Sequence, residues 1–289
     1  MYLLITTHTT LHLERVLLGV RHSSRLPDEI AISCDNDKAE LRDLAVRRFK
    51  ELGLKGSIVM REHMGVCRLA QVINNGLRFF ASLPGSRAIG DDDRVIVIQG
   101  DCCPGKEFLA THMTLGEKKD LVVGFRHDIT EGQSIRFSDE ALLAGRDPVE
   151  LLPEQIEAIT SRHKRFVRQA RMRRLGLTKS HKPKVLGADF SVRFGAWKAI
   201  NGMDEEYVGY GSEDDDLGRR LYANRASVVV GIDKLELYHL WHQTRKGEAW
   251  EASSGVARFK MATPVKAVYG ISNPLGQAEV RAWKLGIQD

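Results

Sequence analysis

The stretch Gly209-Tyr210-Gly211-Ser212-Glu213-Asp214-Asp215-Asp216 decides how the rest of the chain is read. Four adjacent carboxylates repel one another, and the start of a helix is one of the few places that tolerates them, because its free N–H groups favour negative charge. Leu217, Leu221 and Tyr222 then recur at helical spacing, with Arg219, Arg220 and Arg225 towards the C-terminal end, so the spacing predicts a helix opening at the acids. Two glycines ahead of it let the backbone approach a ligand closely. A cap is the plainer explanation, with Ser212 capping and Asp215 closing a capping box. One or two acids would satisfy a cap, and four behind two glycines and an aromatic exceed it, which favours a functional site.

Outward from this stretch, the chain has 289 residues, 43% hydrophobic and 28% charged, which suits one large domain or a domain with a substantial insertion. Met1-Tyr2-Leu3-Leu4-Ile5 lacks a basic leader and runs into Thr6-Thr7-His8, so no signal peptide is expected. No apolar run approaches the length of a membrane span. Cys34, Cys67, Cys102 and Cys103 form neither a disulfide framework nor a zinc pattern, and a reducing, cytoplasmic setting is expected. Residues 161–184 hold ten Lys/Arg and no acid; set against the overall +5, this leaves the rest of the chain at −5. A basic segment on a mildly acidic body argues for a local anionic contact rather than a dispersed nucleic-acid surface.

Strand and helix signals alternate in the first half. Strands are expected at residues 2–6, 29–34, 57–60, 94–98 and 121–124, and helices at 11–20, 39–52 and 66–80, with a short helix before the last of these strands. This is an α/β pattern with a mostly parallel sheet, whose ligands bind beyond the carboxyl ends of the strands. Polar groups gather at those ends: Thr7-His8, Asp35-Asn36-Asp37 and Gln99-Gly100-Asp101. The alternation stops at residues 126–184, where 151–175 reads as one helix with Ile156, Ile159, Phe166, Val167 and Ala170 on its apolar side. It resumes with a strand at 184–192, a short helix at 196–200, the acidic helix, and strands at 227–230 and 235–239. The tail after His242 carries no clear signal.

Each polar cluster has two readings. Asp101 could bind a divalent cation through one oxygen, or simply form the turn before Pro104. Asp35 and Asp37 could meet a nucleobase or ribose, or form an Asx-turn. Arg68, between Gly65 and Asn74-Asn75-Gly76, could meet a diphosphate or lie on a solvated helix face. His239 and His242 offer imidazoles, but three residues apart on a strand they point to opposite faces unless the strand ends between them. Cys102 and Cys103 have no assignable base and read as small buried residues. The basic helix could contact an anionic membrane surface, an anionic acceptor or RNA, or be a solvated arm; without interleaved aromatics, RNA is disfavoured.

Taken in order, Asp35-Asn36-Asp37, Gly65…Arg68…Asn74, Gln99-Gly100-Asp101 and the Gly-Tyr-Gly-Ser-Glu-Asp-Asp-Asp run resemble inverting glycosyltransferases of the GT-A fold. The specific part runs from Gly187-Ala188-Asp189-Phe190-Ser191-Val192 through Ile200-Asn201-Gly202-Met203-Asp204 to Asp216-Leu217. It is similar to the motif shared by the β-1,4-galactosyltransferases and bacterial family 2 polysaccharide transferases. The resemblance implies a mostly parallel sheet flanked by helices and transfer of a sugar from a nucleotide sugar, UDP first, to a glycan or lipid-linked acceptor in polysaccharide synthesis. It implies Mn2+ or Mg2+ held by Asp101 with His239, and His242 as alternative third ligand. Thr7, Asp35, Asp37, Arg68, Gln99 and Gly100 would lie on the donor. Asp214 would be the general base, Glu213 and Asp215 would hold acceptor hydroxyls, and Tyr210 and Gly211 would line the acceptor. The pattern departs from the family at Gln99, where the first acid of the metal motif is missing. A non-catalytic sugar- or nucleotide-binding module is the alternative. The implied organisation is a donor half (1–125), a helical basic insertion (126–184), an acceptor half (185–245) and a tail (246–289). The enzyme would be cytoplasmic, with peripheral contact at an anionic membrane surface.

Overall fold

Apolar runs with little alternation predict strands covered on both faces, and the first three strands are buried along their whole length: β1 (Tyr2–Thr7), β2 (Glu29–Cys34) and β3 (Gly56–Arg61). The computed structural model describes residues 1–209, 211–243, 253–261 and 263–286. Helices α1 (Leu13–Arg21) and α2 (Ala39–Leu52) connect these strands, and α3 (Leu69–Ser82) leads to β4 (Arg94–Gln99). The third helix starts three residues later than its apolar pattern, because Gly65 takes a left-handed φ of 80° and Arg68 sits at the N-cap outside helical geometry. Next come β5 (Cys102–Pro104), α4 (Phe108–Gly116), β6 (Leu121–Val123) and β7 (His127–Asp128), then α5 (Glu131–Ile135), α6 (Asp139–Leu143) and the long α7 (Pro153–Arg173). The chain continues through β8 (Asp189–Arg193), α8 (Phe194–Ala199), α9 (Glu213–Ala223), β9 (Val228–Val230), β10 (Leu237–His239), α10 (Ser254–Phe259) and β11 (Val280–Leu285).

The main sheet is eight-stranded, ordered β11-β3-β2-β1-β4-β8-β6-β9. It is mostly parallel, with β8 and β11 reversed. Alternate residues feed opposite faces: Leu4, Val95 and Val97 enter one core with Phe190 and Trp197, while Leu3, Ile5, Ile96 and Ile98 enter the other with Phe49 and Phe108. A small sheet, β5-β10-β7, lies at the end of β4.

Several segments depart from the sequence reading: the strand expected from residue 184 opens only at Asp189, β7, α5 and α6 precede the long helix, and the tail and α7 differ as well. The tail contributes β11, which pairs antiparallel with β3 from Val280↔Arg61 to Leu285↔Gly56. Its residues are mostly exposed, so it lacks the apolar signature of an inner strand. On α7, Phe166 is buried in the core and Ile159, Val167 and Ala170 pack against it, whereas Ile156 is exposed. No described helix is long and apolar enough to cross a membrane.

Candidate active site

The acidic helix opens without the expected cap. Ser212 lies in the left-handed region (φ 65°), and its hydroxyl makes no capping bond, because a capping side chain needs extended backbone at that position. The four acids therefore take separate partners. Glu213 Oε2 accepts from the Gly211 N–H at 2.9 Å. Asp214 Oδ2 accepts from the Gly187 N–H at 2.8 Å. Asp215 Oδ2 lies 3.4 Å from Lys184 Nζ. Asp216 is fully buried and binds Arg219 and Arg220, each at 2.6 Å, and Arg220 continues to the carbonyls of Ile200 and Gly202. Three acids thus take partners from Gly211, Gly187 and Lys184 ahead of the helix, and the fourth is tied into the core.

The shielded Oδ1 atoms of Asp214 and Asp215 have no hydrogen-bond partner among the described residues. Burial, then the neighbouring Glu213 carboxylate, pushes the Asp214 carboxyl up to about 8, against the Gly187 N–H and Lys184, which favour its charged form. Burial also raises Glu213. The helix dipole pulls the other way, but it is worth ~0.3–1 kcal/mol, less than a single pH unit at about 1.4 kcal/mol. The approach to Asp214 is tight: a Cβ on Gly187 would lie 2.7 Å from Asp214 Oδ1. The loop ahead of the helix is fixed by Gly209 N–H to Cys67 O at 2.8 Å, and by buried Asn74, which donates to Met203 O and Glu205.

A second cluster forms at the end of β4. Asp101, His239 and His242 each offer a ligand atom, and these atoms lie within 4.8 Å of one another. Because β10 ends at His239, the two imidazoles escape strand alternation, and both Nε2 atoms reach towards Asp101 Oδ2, at 3.6 and 3.3 Å. His239 Nδ1 is held by Asp128 Oδ1 at 2.8 Å, and its shielded Nε2 has no hydrogen-bond partner among the described residues. A carboxylate on one ring nitrogen and an orphaned atom on the other is how a metal-binding histidine is oriented, and two imidazoles with a carboxylate suit a divalent transition-metal cation. Burial alone would raise Asp101, but His239 outweighs it and holds the carboxyl well below its ordinary range. Burial lowers His239 less than Asp101 and Asp128 raise it, so its pKa lies above the ordinary imidazole value. The Cys102 thiol, buried and pushed well up, donates to Asp101 Oδ1 at 3.1 Å, which gives this cysteine a supporting rather than nucleophilic place.

Gln99 is tied into the same network. Its Oε1 accepts from Arg126 at 3.2 Å, and Arg126 also binds Asp128 Oδ1 at 2.9 Å. Thr7 Oγ1 donates to Thr9 O at 2.8 Å, and a Cβ on Gly100 would lie 2.7 Å from Thr7. Asp35 is buried, with Oδ1 on buried Arg61 at 2.5 Å and Oδ2 on the Arg68 N–H at 3.0 Å; each oxygen keeps a second lone pair. The Asx-turn into α2 is made by Asn36, whose Oδ1 accepts from the Lys38 N–H, while Asp37 is exposed. Tyr210 lies outside the described residues.

Strand register brings the clusters together. β4 and β8 run antiparallel with Ile98 opposite Asp189, so the chain leaves β4 towards Asp101 at the end where it enters β8 from Gly187, the residue that holds Asp214. β6 runs beside β8 with Val123 opposite Phe190, which delivers Phe125 and Arg126 to the same edge. Thr6 pairs with Gln99 and Thr7 with Cys34, placing the ends of β1 and β2 there too. Sequence reasoning missed Asp128, Arg126, Lys184 and Gly187. Gly187 stands at the head of the quoted motif and Lys184 in the basic segment, but nothing local marks the role of any of the four.

A family model described as the N-terminal domain of galactosyltransferase matches residues 174–243, less than half of the chain and the part that holds the acidic helix and both histidines. No curated protein matches the chain in sequence. Among solved structures, residues 1–349 of TarS from S. aureus, in complex with UDP-GlcNAc, match with a TM-score of 0.51 at 14% identity, covering 87% of this chain and 60% of that one. GalNAc-T7 with UDP, GalNAc and Mn2+ matches with a TM-score of 0.57 at 12% identity, covering 89% of this chain and 47% of that one. At such identities the likeness is one of fold, and the fold is GT-A. The chain spans about 60% or less of the length of these structures.

Proposed function

We propose that this protein is a glycosyltransferase that moves a sugar from a nucleotide sugar, UDP first among candidates, to a hydroxyl of a glycan or lipid-linked acceptor, with inversion at the anomeric carbon. The observation that carries the proposal is the shared sheet edge, where Asp101, lowered by His239, follows β4 and Asp214, raised by burial, is held from α9 by Gly187 just ahead of β8. The UDP-GlcNAc and the UDP with Mn2+ named for the TarS and GalNAc-T7 structures support the choice of donor and metal. Of the alternatives, a binding module without chemistry would have no use for a carboxylate poised near neutrality.

Asp101, His239 and His242 would hold the cation, with Asp128 fixing the His239 ring. When bound, the cation neutralises charge developing on the departing diphosphate. Gln99 removes one anionic ligand from this end, and its bond to Arg126 gives it a positioning role instead. Thr7, Asp35, Asp37, Arg68 and Gly100 line the donor side, with Arg61 fixing the Asp35 carboxylate. On the other side, Asp214 takes the proton of the acceptor hydroxyl as it attacks. An alcohol is a poor nucleophile near neutrality, and positioned general bases contribute about 10²–10⁴-fold. A carboxyl pushed to about 8 is a stronger proton acceptor than an ordinary carboxylate once ionised. Asp215, steadied by Lys184, and Glu213 orient acceptor hydroxyls, with Gly211 and Tyr210 beside them.

The test is a screen of UDP-sugars with Mn2+, Mg2+ or a chelator, read by thermal stabilisation and by UDP release. Stabilisation by one UDP-sugar that depends on the metal is the expected result. A protein that no nucleotide sugar stabilises, with or without metal, is not this enzyme.

A further inference from the structure

Beside the acids lies a cavity of about 430 Å³ lined by Phe125, Arg162, Arg165, Phe166, Lys182 and Lys184, with Gln169 and Leu186 completing its wall. Lys184 reaches Asp215 at one end, and Phe125 leaves β6 one residue before Arg126 at the other. Four cations in one cavity repel one another. Burial lowers Arg162, and Arg165 lowers it further against Asp128; burial also lowers Lys182, where Asp215 opposes the shift and Lys184, Lys179 and Arg165 add to it. The Lys184–Asp215 pair at 3.4 Å offsets part of this repulsion, while Arg162, Arg165 and Lys182 make no ion pair within 4.0 Å among the described residues. An anionic ligand would supply the missing charge. The Arg162 guanidinium is stacked 3.6 Å over the Phe125 ring, which fixes its plane and leaves its edge N–H groups to donate as a fork. The shielded Gln169 Oε1 has no hydrogen-bond partner among the described residues and can accept from a hydroxyl.

We infer that this cavity binds a phosphate group carried by the acceptor saccharide and so selects phosphorylated acceptors. One guanidinium suffices for a carboxylate; several cations together with a fork donor match the charge and the oxygens of a phosphate. The inference rests on the transferase reading, because it is the acceptor that reaches Asp214 from this side.

Calorimetric titration of the whole protein tests it with glucose 6-phosphate, glucuronate, glucose and inorganic phosphate as probes, and with UDP plus Mn2+ titrated into the same preparations. Glucose 6-phosphate should bind at least about tenfold more tightly than glucose or glucuronate, the worth of one charge-assisted hydrogen bond, and more tightly than inorganic phosphate. The pair Arg165→Gln, Lys182→Gln should lose that advantage while binding UDP as before. In the absence of probe the pair should melt no lower than the parent, since it relieves repulsion. Equal binding of all four probes by the parent protein overturns the inference without recourse to any variant. Undiminished binding by the variant also overturns it, as does sedimentation with phosphatidylglycerol vesicles that depends on Arg165 and Lys182 while glucose 6-phosphate has no effect. Failure of UDP to bind while glucose 6-phosphate does would overturn the transferase reading and, with it, the acceptor role, leaving a phosphate site.

Discussion

The two acidic clusters stand at one edge of one sheet, yet their carboxyl groups are driven in opposite directions. Asp101 is surrounded by His239, His242, the Cys102 thiol and Arg126, and is held charged. Asp214 has a backbone N–H on one oxygen, nothing on the other among the described residues, and two acids beside it, and is pushed towards the protonated form. Residue type alone does not separate them. Neighbours do, and environments that drive similar groups apart assign them different work: a group that stays charged holds a cation, and a group poised near neutrality exchanges a proton.

The sharpest way to break this division is Asp214→Asn. The amide keeps the shape and can still accept from Gly187, but it cannot take a proton. Sugar transfer should fall by about 10²–10⁴-fold, while UDP binding in the presence of Mn2+ stays unchanged. Transfer at the parental rate would falsify the assignment of the base.

Next in size is Asp128→Asn, which acts only on the other cluster. Asp128 touches His239 through Nδ1 and sets the ring for Asp101. Losing such a partner typically weakens metal affinity about 10–100-fold. Activity should return at high Mn2+, because the ligands themselves remain. A titration of activity against Mn2+ reads this directly, and an unchanged midpoint would mean that His239 does not hold the ion.

These two predictions differ in how legible their residues were. The helix start at Glu213 announced itself, because four acids behind two glycines are visible without any fold. The strand ends at Asp35 and Asp101 followed from apolar runs that stop abruptly. Asp128 did not, since it gains its meaning from a two-residue strand paired with β10, and pairing between remote segments leaves no periodic trace. The same holds for Gly187, read within a strand, whose place ahead of β8 sets its N–H 2.8 Å from the Asp214 oxygen. Within the acidic run, periodicity could not tell that Asp216 turns inward to Arg219 and Arg220 while its three neighbours take partners ahead of the helix. The tail strand β11 was missed because it lies exposed at an edge, where burial imposes no pattern.

A finer test keeps Asp214 and changes what it feels. Asp214 works deprotonated, so the rate should rise with pH along a limb centred at about 8. Glu213 is, after burial, the main reason that limb sits so high. Glu213→Gln removes the charge and retains an oxygen for the Gly211 N–H, so Asp214 should ionise at lower pH and the limb should move towards acid. The maximal rate is also expected to drop, since Glu213 is assigned to an acceptor hydroxyl. The position of the limb is the reading that matters, and a limb that stays in place would show that the two acids do not interact.

The smallest effect is on stability, and its sign separates the clusters once more. Asp214 has a folded pKa near 8 against an ordinary value of 3.8, so the folded protein holds a proton that the unfolded chain gives up. Stability from this residue is therefore greatest below the ordinary value and declines as pH rises through the window to about 8. Asn cannot ionise and escapes the decline. Asp214→Asn should melt above the parent at pH 9, by a few degrees for each ~1 kcal/mol recovered, and the gap should close towards pH 4. Asp101 has the opposite sign: its depressed pKa contributes stability above the ordinary carboxyl range that is lost as pH falls. Asp101→Asn should then melt below the parent at neutral pH without added metal, with the gap closing in acid. Melting curves of both variants across pH 4–9 compare the clusters without any substrate, and gaps of the same sign would mean that the two carboxyls do not occupy opposite environments.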